Sequence, residues 1–117
     1  MKQTITREEL SSVLASANPP LLFEALPAKY FNEGHLPGAR NMPHDEVAAL
    51  APRLAPDKVA PIVVYCANAA CQNSHIAAGR LGQLGYSDVR VYAAGKQDWI
   101  DAGLPVEQQR AVAASVE

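Results

Sequence analysis

Pro61-Ile62-Val63-Val64-Tyr65-Cys66-Ala67-Asn68-Ala69-Ala70-Cys71-Gln72-Asn73-Ser74 is the stretch on which the reading of this chain turns. The β-branched run Ile62, Val63, Val64 reads as a buried strand, and it stops at Cys66. Seven residues separate Cys66 from Ser74, which is placed to cap a helix beginning near His75. A thiol at a strand end, in a loop running into a helix N-terminus, sits where unpaired N–H groups and the helix dipole favour negative charge. Such surroundings lower a cysteine pKa, and the thiolate is the reactive form. The expectation is therefore a Cys66 nucleophile inside an anion-binding loop made by Ala67, Asn68, Ala69, Ala70, Gln72, Asn73 and Ser74. These are small or polar residues, so the backbone can curl around a sulfur anion with little obstruction.

Outward from this stretch, strands and helices alternate. Thr6-Arg7-Glu8-Glu9 fits a capping box, with Ile5 and Leu10 placed as a hydrophobic staple, and predicts a helix from about Arg7 to Ala15. Asn18-Pro19-Pro20 ends it, and Leu21-Leu22-Phe23 begins a strand. Gly34 to Gly38 reads as a turn-rich loop before a short strand at Arg40–Met42. Glu46 to Leu54 is expected to be helical in two pieces, because Pro52 is unfavourable inside a helix. Beyond the active stretch come a helix from about His75 to Leu84 closed by Gly85, a strand at Val89–Tyr92, and a helix from Gln97 to Ala102. The alternation predicts an α/β fold with a mostly parallel central sheet flanked by helices on both faces. One domain is expected over residues 1–107, with 108–117 as a C-terminal extension, either a helical turn or a frayed tail.

The composition supports an ordinary globular protein: 117 residues, 49% apolar and 19% charged. A formal net charge of -2 leaves no basic footprint, so neither nucleic acid nor an anionic membrane is an expected partner. The N-terminus lacks the apolar stretch of a signal peptide, and no segment is long enough to span a bilayer. Two cysteines five positions apart are too few for a disulfide framework, so a reducing cytoplasm is the expected setting.

Four motifs in order give the chain a family resemblance. Gly34-His35-Leu36-Pro37-Gly38-Ala39 matches a G-H-I-P-G-A signature, and Val63-Val64-Tyr65-Cys66 is similar to a strand that delivers a catalytic cysteine. Ala94-Gly95-Lys96-Gln97-Asp98-Trp99 matches a G-G-x-x-x-W element without its first glycine, and Ala102-Gly103-Leu104-Pro105-Val106-Glu107 an A-G-x-P-V-E ending. Over nearly its whole length the chain resembles the rhodanese-like domain. That resemblance implies a sulfurtransferase or sulfur carrier, in which Cys66 takes a sulfane sulfur, holds it as a persulfide and passes it to a thiol or other thiophile. It implies as partners a small sulfur donor (thiosulfate or a persulfide), a thiol acceptor and a potential protein partner. No metal and no organic cofactor is implied.

The chain also departs from that pattern. The family's cysteine is followed by four residues, an arginine and then Ser or Thr. Here Asn73 occupies the arginine position, and the loop is two residues longer. Relatives of the fold that act on phosphate depend on the same arginine, which argues against a phosphatase. A D-x-R element near the second strand reads Glu24-Ala25-Leu26.

Cys71 is a candidate resolving or alternative thiol, able to attack a persulfide or sulfenic acid on Cys66; otherwise it is a small apolar filler. This leaves an alternative function open: a non-catalytic redox-sensing or protein-binding module using a Cys66–Cys71 disulfide. Cys66, Cys71 and His75 make a weak zinc pattern lacking a fourth ligand. His75 is expected to face solvent or the loop, His35 to order its own loop, and Trp99 to anchor the last helix. Arg80 would replace the missing arginine only by leaning back toward the loop.

Overall fold

Parallel pairing organises the whole sheet. The computed structural model describes residues 3–108, so the expected C-terminal extension, apart from Gln108, lies outside the described residues. The elements in chain order are β1 (Gln3–Thr4), α1 (Arg7–Leu14), β2 (Leu21–Glu24), α2 (Ala28–Glu33), β3 (Arg40–Asn41), α3 (Val47–Leu54), β4 (Ile62–Tyr65), α4 (Asn73–Gln83), β5 (Val89–Tyr92) and α5 (Gly95–Asp101). The strands lie in the order β1-β5-β4-β2-β3, and every pair is parallel. β4 is the central strand and all four of its residues are buried, as a strand covered on both faces requires.

Each face of the sheet carries its own core. Phe23, Ile62 and Val64 point to one face, where Val47 and Ala51 of α3 and Ala77 and Leu81 of α4 cover them. Leu22, Val63 and Tyr65 point to the other, packed by Leu10 of α1, Phe31 of α2 and Trp99 of α5. The alternation along β2 and β4 is the two-residue period of a strand serving two layers. The expected α/β fold with helices on both faces is the one observed.

The capping box of α1 forms as expected: Thr6 Oγ1 accepts from Glu9 N–H at 3.1 Å, and Thr6 N–H donates to Glu9 Oε1 at 2.9 Å. Three expectations need correction. The helix around Pro52 is one piece, not two, because Pro52 lies in its last turn and few backbone bonds remain beyond it. α4 starts at Asn73 with Gln72 in the cap position, so Ser74 is inside the helix and not its cap. β1 and α2 were not foreseen: one is two exposed residues, the other six residues after Pro27 with no side-chain cap. Gly85, with φ of 100°, closes α4 in the left-handed region open to glycine.

Candidate functional site

The site follows from the topology. β2 and β4 are neighbours, yet β2 leads into α2 on one face and β4 into α4 on the other. Their C-terminal ends therefore flank a crevice, the switch point where open α/β sheets bind ligands. Cys66 is the first residue past β4 and stands at that crevice.

The Cys66 side chain is only 1% exposed. Its Sγ lies 3.4 Å from Ser74 Oγ, to which the thiol donates; in the thiolate form the hydroxyl would donate instead. Ser74, in the first turn of α4 and itself buried, also turns its backbone N–H toward the sulfur. The helix N-terminus expected beside the cysteine is thus present, delivered by Ser74. Its influence on the resting thiol is outweighed. Burial, first of all, pushes the Cys66 thiol up, and the adjacent Cys71 thiol adds to this; the Ser74 hydroxyl and N–H pull it down. The lowered pKa read from the sequence is corrected in direction. Burial of the sulfur depends on tertiary packing, which a local motif does not contain.

The loop has a definite shape. Asn68 Oδ1 accepts from Ala70 N–H at 3.0 Å, and Asn68 O accepts from Cys71 N–H at 3.1 Å. These two donors therefore serve a turn and do not point to a common anion centre. The turn carries the chain back so that Cys71, half-buried, lies beside Cys66. Asn68, Ala69, Ala70 and Gln72 are exposed, while Ala67 and Asn73 are half-buried.

The N-terminus of α5 holds the base of the loop. Lys96 N–H donates to Cys66 O and Gln97 N–H to Ala67 O, both at 2.8 Å. This close approach explains Gly95. With φ of +80°, a Cβ there would stand 2.7 Å from Asn68 Cα and 2.9 Å from Cys66 O. The one glycine retained in the sequence element is the one that the loop contact demands.

Beneath the crevice lies a buried charged cluster that the sequence reading missed. Glu24, at the end of β2, is fully buried; its Oε1 accepts from Tyr65 OH at 2.8 Å and its Oε2 from Lys96 Nζ at 3.1 Å. Lys96 Nζ also donates to Gly34 O at 2.6 Å and Tyr30 O at 3.1 Å. Burial pushes Glu24 up, against the hydrogen bonds and charge that pull it down. An acidic residue at a strand end and a lysine beside Gly95 were the available signals. Leu26, in the place of an arginine, supplies no cation, and Lys96 reaches the acid from another element.

The remaining candidates separate clearly. His35 Nδ1 pairs with Phe31 O at 2.9 Å, its ring stacks on Phe31, and its backbone bridges Glu107; it orders the loop as expected. Trp99 is a core anchor whose Nε1 donates to Pro105 O at 2.8 Å. Arg80 donates to His44 O at 2.5 Å, so the sequence suggestion that it replaces the loop arginine is not met. His75 is half-buried in the first turn of α4. Among the described residues, no group of three or more His, Cys, Asp or Glu is arranged to hold a metal. Nor is any helix among them long and apolar enough to cross a membrane.

Comparison with known proteins bears on the family and the fold. The chain is 33% identical over 107 residues to an HTH-type transcriptional regulator of Mycobacterium tuberculosis, covering 92% of this chain and 46% of that protein. It therefore spans about half the length of that curated relative. The fold is similar to a thiosulfate sulfurtransferase from Pseudomonas aeruginosa, with a TM-score of 0.82 and 25% identity, covering 94% of this chain and 21% of that one. A human single-domain sulfurtransferase matches with a TM-score of 0.73 and 26% identity, covering 86% of this chain and 97% of that one. Residues 6–102 match the family model of the rhodanese-like domain, and the chain belongs to that family.

Proposed function

We propose that this domain is a sulfurtransferase or sulfur carrier that forms a persulfide on Cys66. The observation that carries the reading is the Cys66 sulfur at the C-terminal end of the central strand, faced by the Ser74 hydroxyl and N–H at the start of α4. In the first step the Cys66 thiolate attacks the sulfane sulfur of a donor, and the donor's remaining group leaves with the electron pair of the broken bond. With thiosulfate the leaving group is sulfite; with a persulfide it is a thiolate. In the second step an acceptor thiolate attacks the outer sulfur of the persulfide, and the Cys66 thiolate leaves. Ser74 stabilises the anion in both steps, since a hydrogen bond to a charged group is among the stronger ones.

Asn73 can donate a hydrogen bond but carries no charge, so donors less charged than thiosulfate are favoured. The cytoplasmic setting expected from the sequence belongs to the same proposal, because both thiols are used in reduced form. A second reading has one observation behind it: the relative that shares 33% identity is named a transcriptional regulator. On that reading the domain senses redox state through a Cys66–Cys71 disulfide or binds a protein, with no turnover.

Mass spectrometry after incubation with a sulfur donor, together with a thiosulfate:cyanide assay, separates the two. The expected result is uptake of one sulfur at Cys66, seen as an added sulfur mass that Cys71→Ser retains and Cys66→Ser lacks, and transfer of that sulfur to a thiol. An adduct lost in Cys71→Ser and kept in Cys66→Ser would assign the primary role to the wrong thiol. A wild type that takes up no sulfur from either donor class would favour the sensing module.

A further inference from the structure

We propose that Cys71 is a second catalytic thiol that discharges the Cys66 persulfide internally, releasing hydrosulfide and leaving a Cys66–Cys71 disulfide. The inference rests on the Cys66 persulfide reading and deepens it. Two features of the loop point there. The turn closed by Cys71 N–H on Asn68 O carries the chain back so that the second thiol lies beside the first. The two thiols also differ in access: Cys66 is 1% exposed, whereas Cys71 is half-buried and can meet molecules from solution. The loop's two extra residues thus carry a function, the return of a thiol to the sulfur that it must attack.

The step balances without an outside oxidant. Cys71 sulfur attacks the inner sulfur of the Cys66 persulfide anion, and the bond between the two Cys66-borne sulfurs breaks. The outer sulfur leaves with the bonding electrons and takes the Cys71 proton, departing as hydrosulfide. The sulfane sulfur is reduced and the two thiols are oxidised to the disulfide. A thiol or dithiol reductant then reopens the pair by exchange.

The alternative direction, attack on the outer sulfur, would expel Cys66 as a thiolate. That route would hand the sulfur to Cys71 as a second persulfide, with no sulfide released and no disulfide formed, so the products tell the two directions apart. Five positions of loop separate the two cysteines, a spacing that allows the Cα approach of about 4.4–6.8 Å that a disulfide requires. Net turnover would be reduction of sulfane sulfur to sulfide at the expense of a thiol. That is a different outcome from handing the sulfur on intact.

The test is a single loading under anaerobic conditions. Reduced protein is treated with thiosulfate or glutathione persulfide and desalted; sulfide is then measured and the tryptic peptides mapped. Wild type is expected to release sulfide equal to the sulfur loaded and to yield a peptide cross-linked between Cys66 and Cys71, with no added thiol. Cys71→Ser is expected to hold the persulfide after desalting and to release sulfide only when a thiol is supplied. A wild type that keeps a stable persulfide, or a Cys71→Ser that releases sulfide as fast as wild type, overturns the inference and leaves the sulfurtransferase reading intact. A wild type that never loads overturns both.

Discussion

On the proposed function, Cys66 and Ser74 set the chemistry at the scale of single residues. The thiol position was legible because a β-branched run that stops at a cysteine has few structural readings. The acidity was not legible, since it depends on what covers the sulfur. Burial and Cys71 push the Cys66 thiol up, so at near-neutral pH the resting protein should be alkylated by iodoacetamide first at Cys71. Cys66 should react appreciably only above the ordinary thiol value, about 8.5. Labelling rates against pH, mapped by peptide, check this; Cys66 reacting first, with a midpoint below that value, would mean that Ser74 and the helix dipole outweigh burial. Ser74→Ala removes the hydroxyl that faces the sulfur. A hydrogen bond to a charged group contributes about 1.5–3 kcal/mol, so loading of Cys66 should slow by roughly ten- to a hundredfold. Stopped-flow loading by a persulfide donor would measure it, and an unchanged rate would remove Ser74 from the mechanism.

Elements position these residues, and here the sequence was informative in proportion to element length. α1 and β4 announce themselves through a capping box and an apolar run. β1 and α2 are too short to show a period, and α2 begins at Pro27 without a capping side chain. The α5 contact with the loop was legible only as a glycine whose purpose was hidden. Gly95→Ala should destabilise by about 1–3 kcal/mol from backbone strain alone, and by more once its Cβ meets Asn68 and Cys66. Denaturant unfolding measures the loss; a variant as stable as wild type would mean that the loop moves aside freely.

The Glu24–Lys96 pair links β2 to α5, and its removal has a definite pH signature. Lys96→Met leaves a fully buried carboxylate without its cation, which typically costs about 3–5 kcal/mol. A carboxyl whose folded pKa is raised binds its proton more tightly in the folded than in the unfolded state. Stability then falls as pH rises from the unfolded value, about 4.3, through the folded one. The gap between Lys96→Met and wild type should therefore be wide at pH 7 and narrow toward pH 4. Urea unfolding at both pH values checks the sign, and a gap that widens on acidification would mean that Glu24 is not the group responsible.

At the scale of the whole molecule, what distinguishes this domain is where its positive charge is spent. Lys96 is committed to Glu24, Arg7 to Asp98 at 2.9 Å, Arg80 to the His44 carbonyl, and Arg90 lies 3.9 Å from Asp88. With a net charge of -2 and Asn73 in the sequence position of the family's arginine, the protein offers a dianionic donor weak repulsion where an arginine would offer attraction. The sequence stated the missing arginine plainly. It could not state that Arg80 would turn to His44, because that contact joins α4 to a loop 36 residues earlier in the chain. The consequence is a salt dependence of opposite sign in two proteins. Screening acts over about 10 Å at 0.1 M ionic strength, so raising salt should modestly increase wild-type kcat/KM for thiosulfate by weakening repulsion. Asn73→Arg should raise that efficiency by roughly ten- to a hundredfold at low salt, the value of one charge-assisted bond, and lose part of the gain as salt rises. An uncharged sulfur donor should show neither trend. Thiosulfate efficiency that falls with salt in the wild type would reveal a cation at the mouth supplied by some other residue, and would remove Asn73 as the determinant of donor choice.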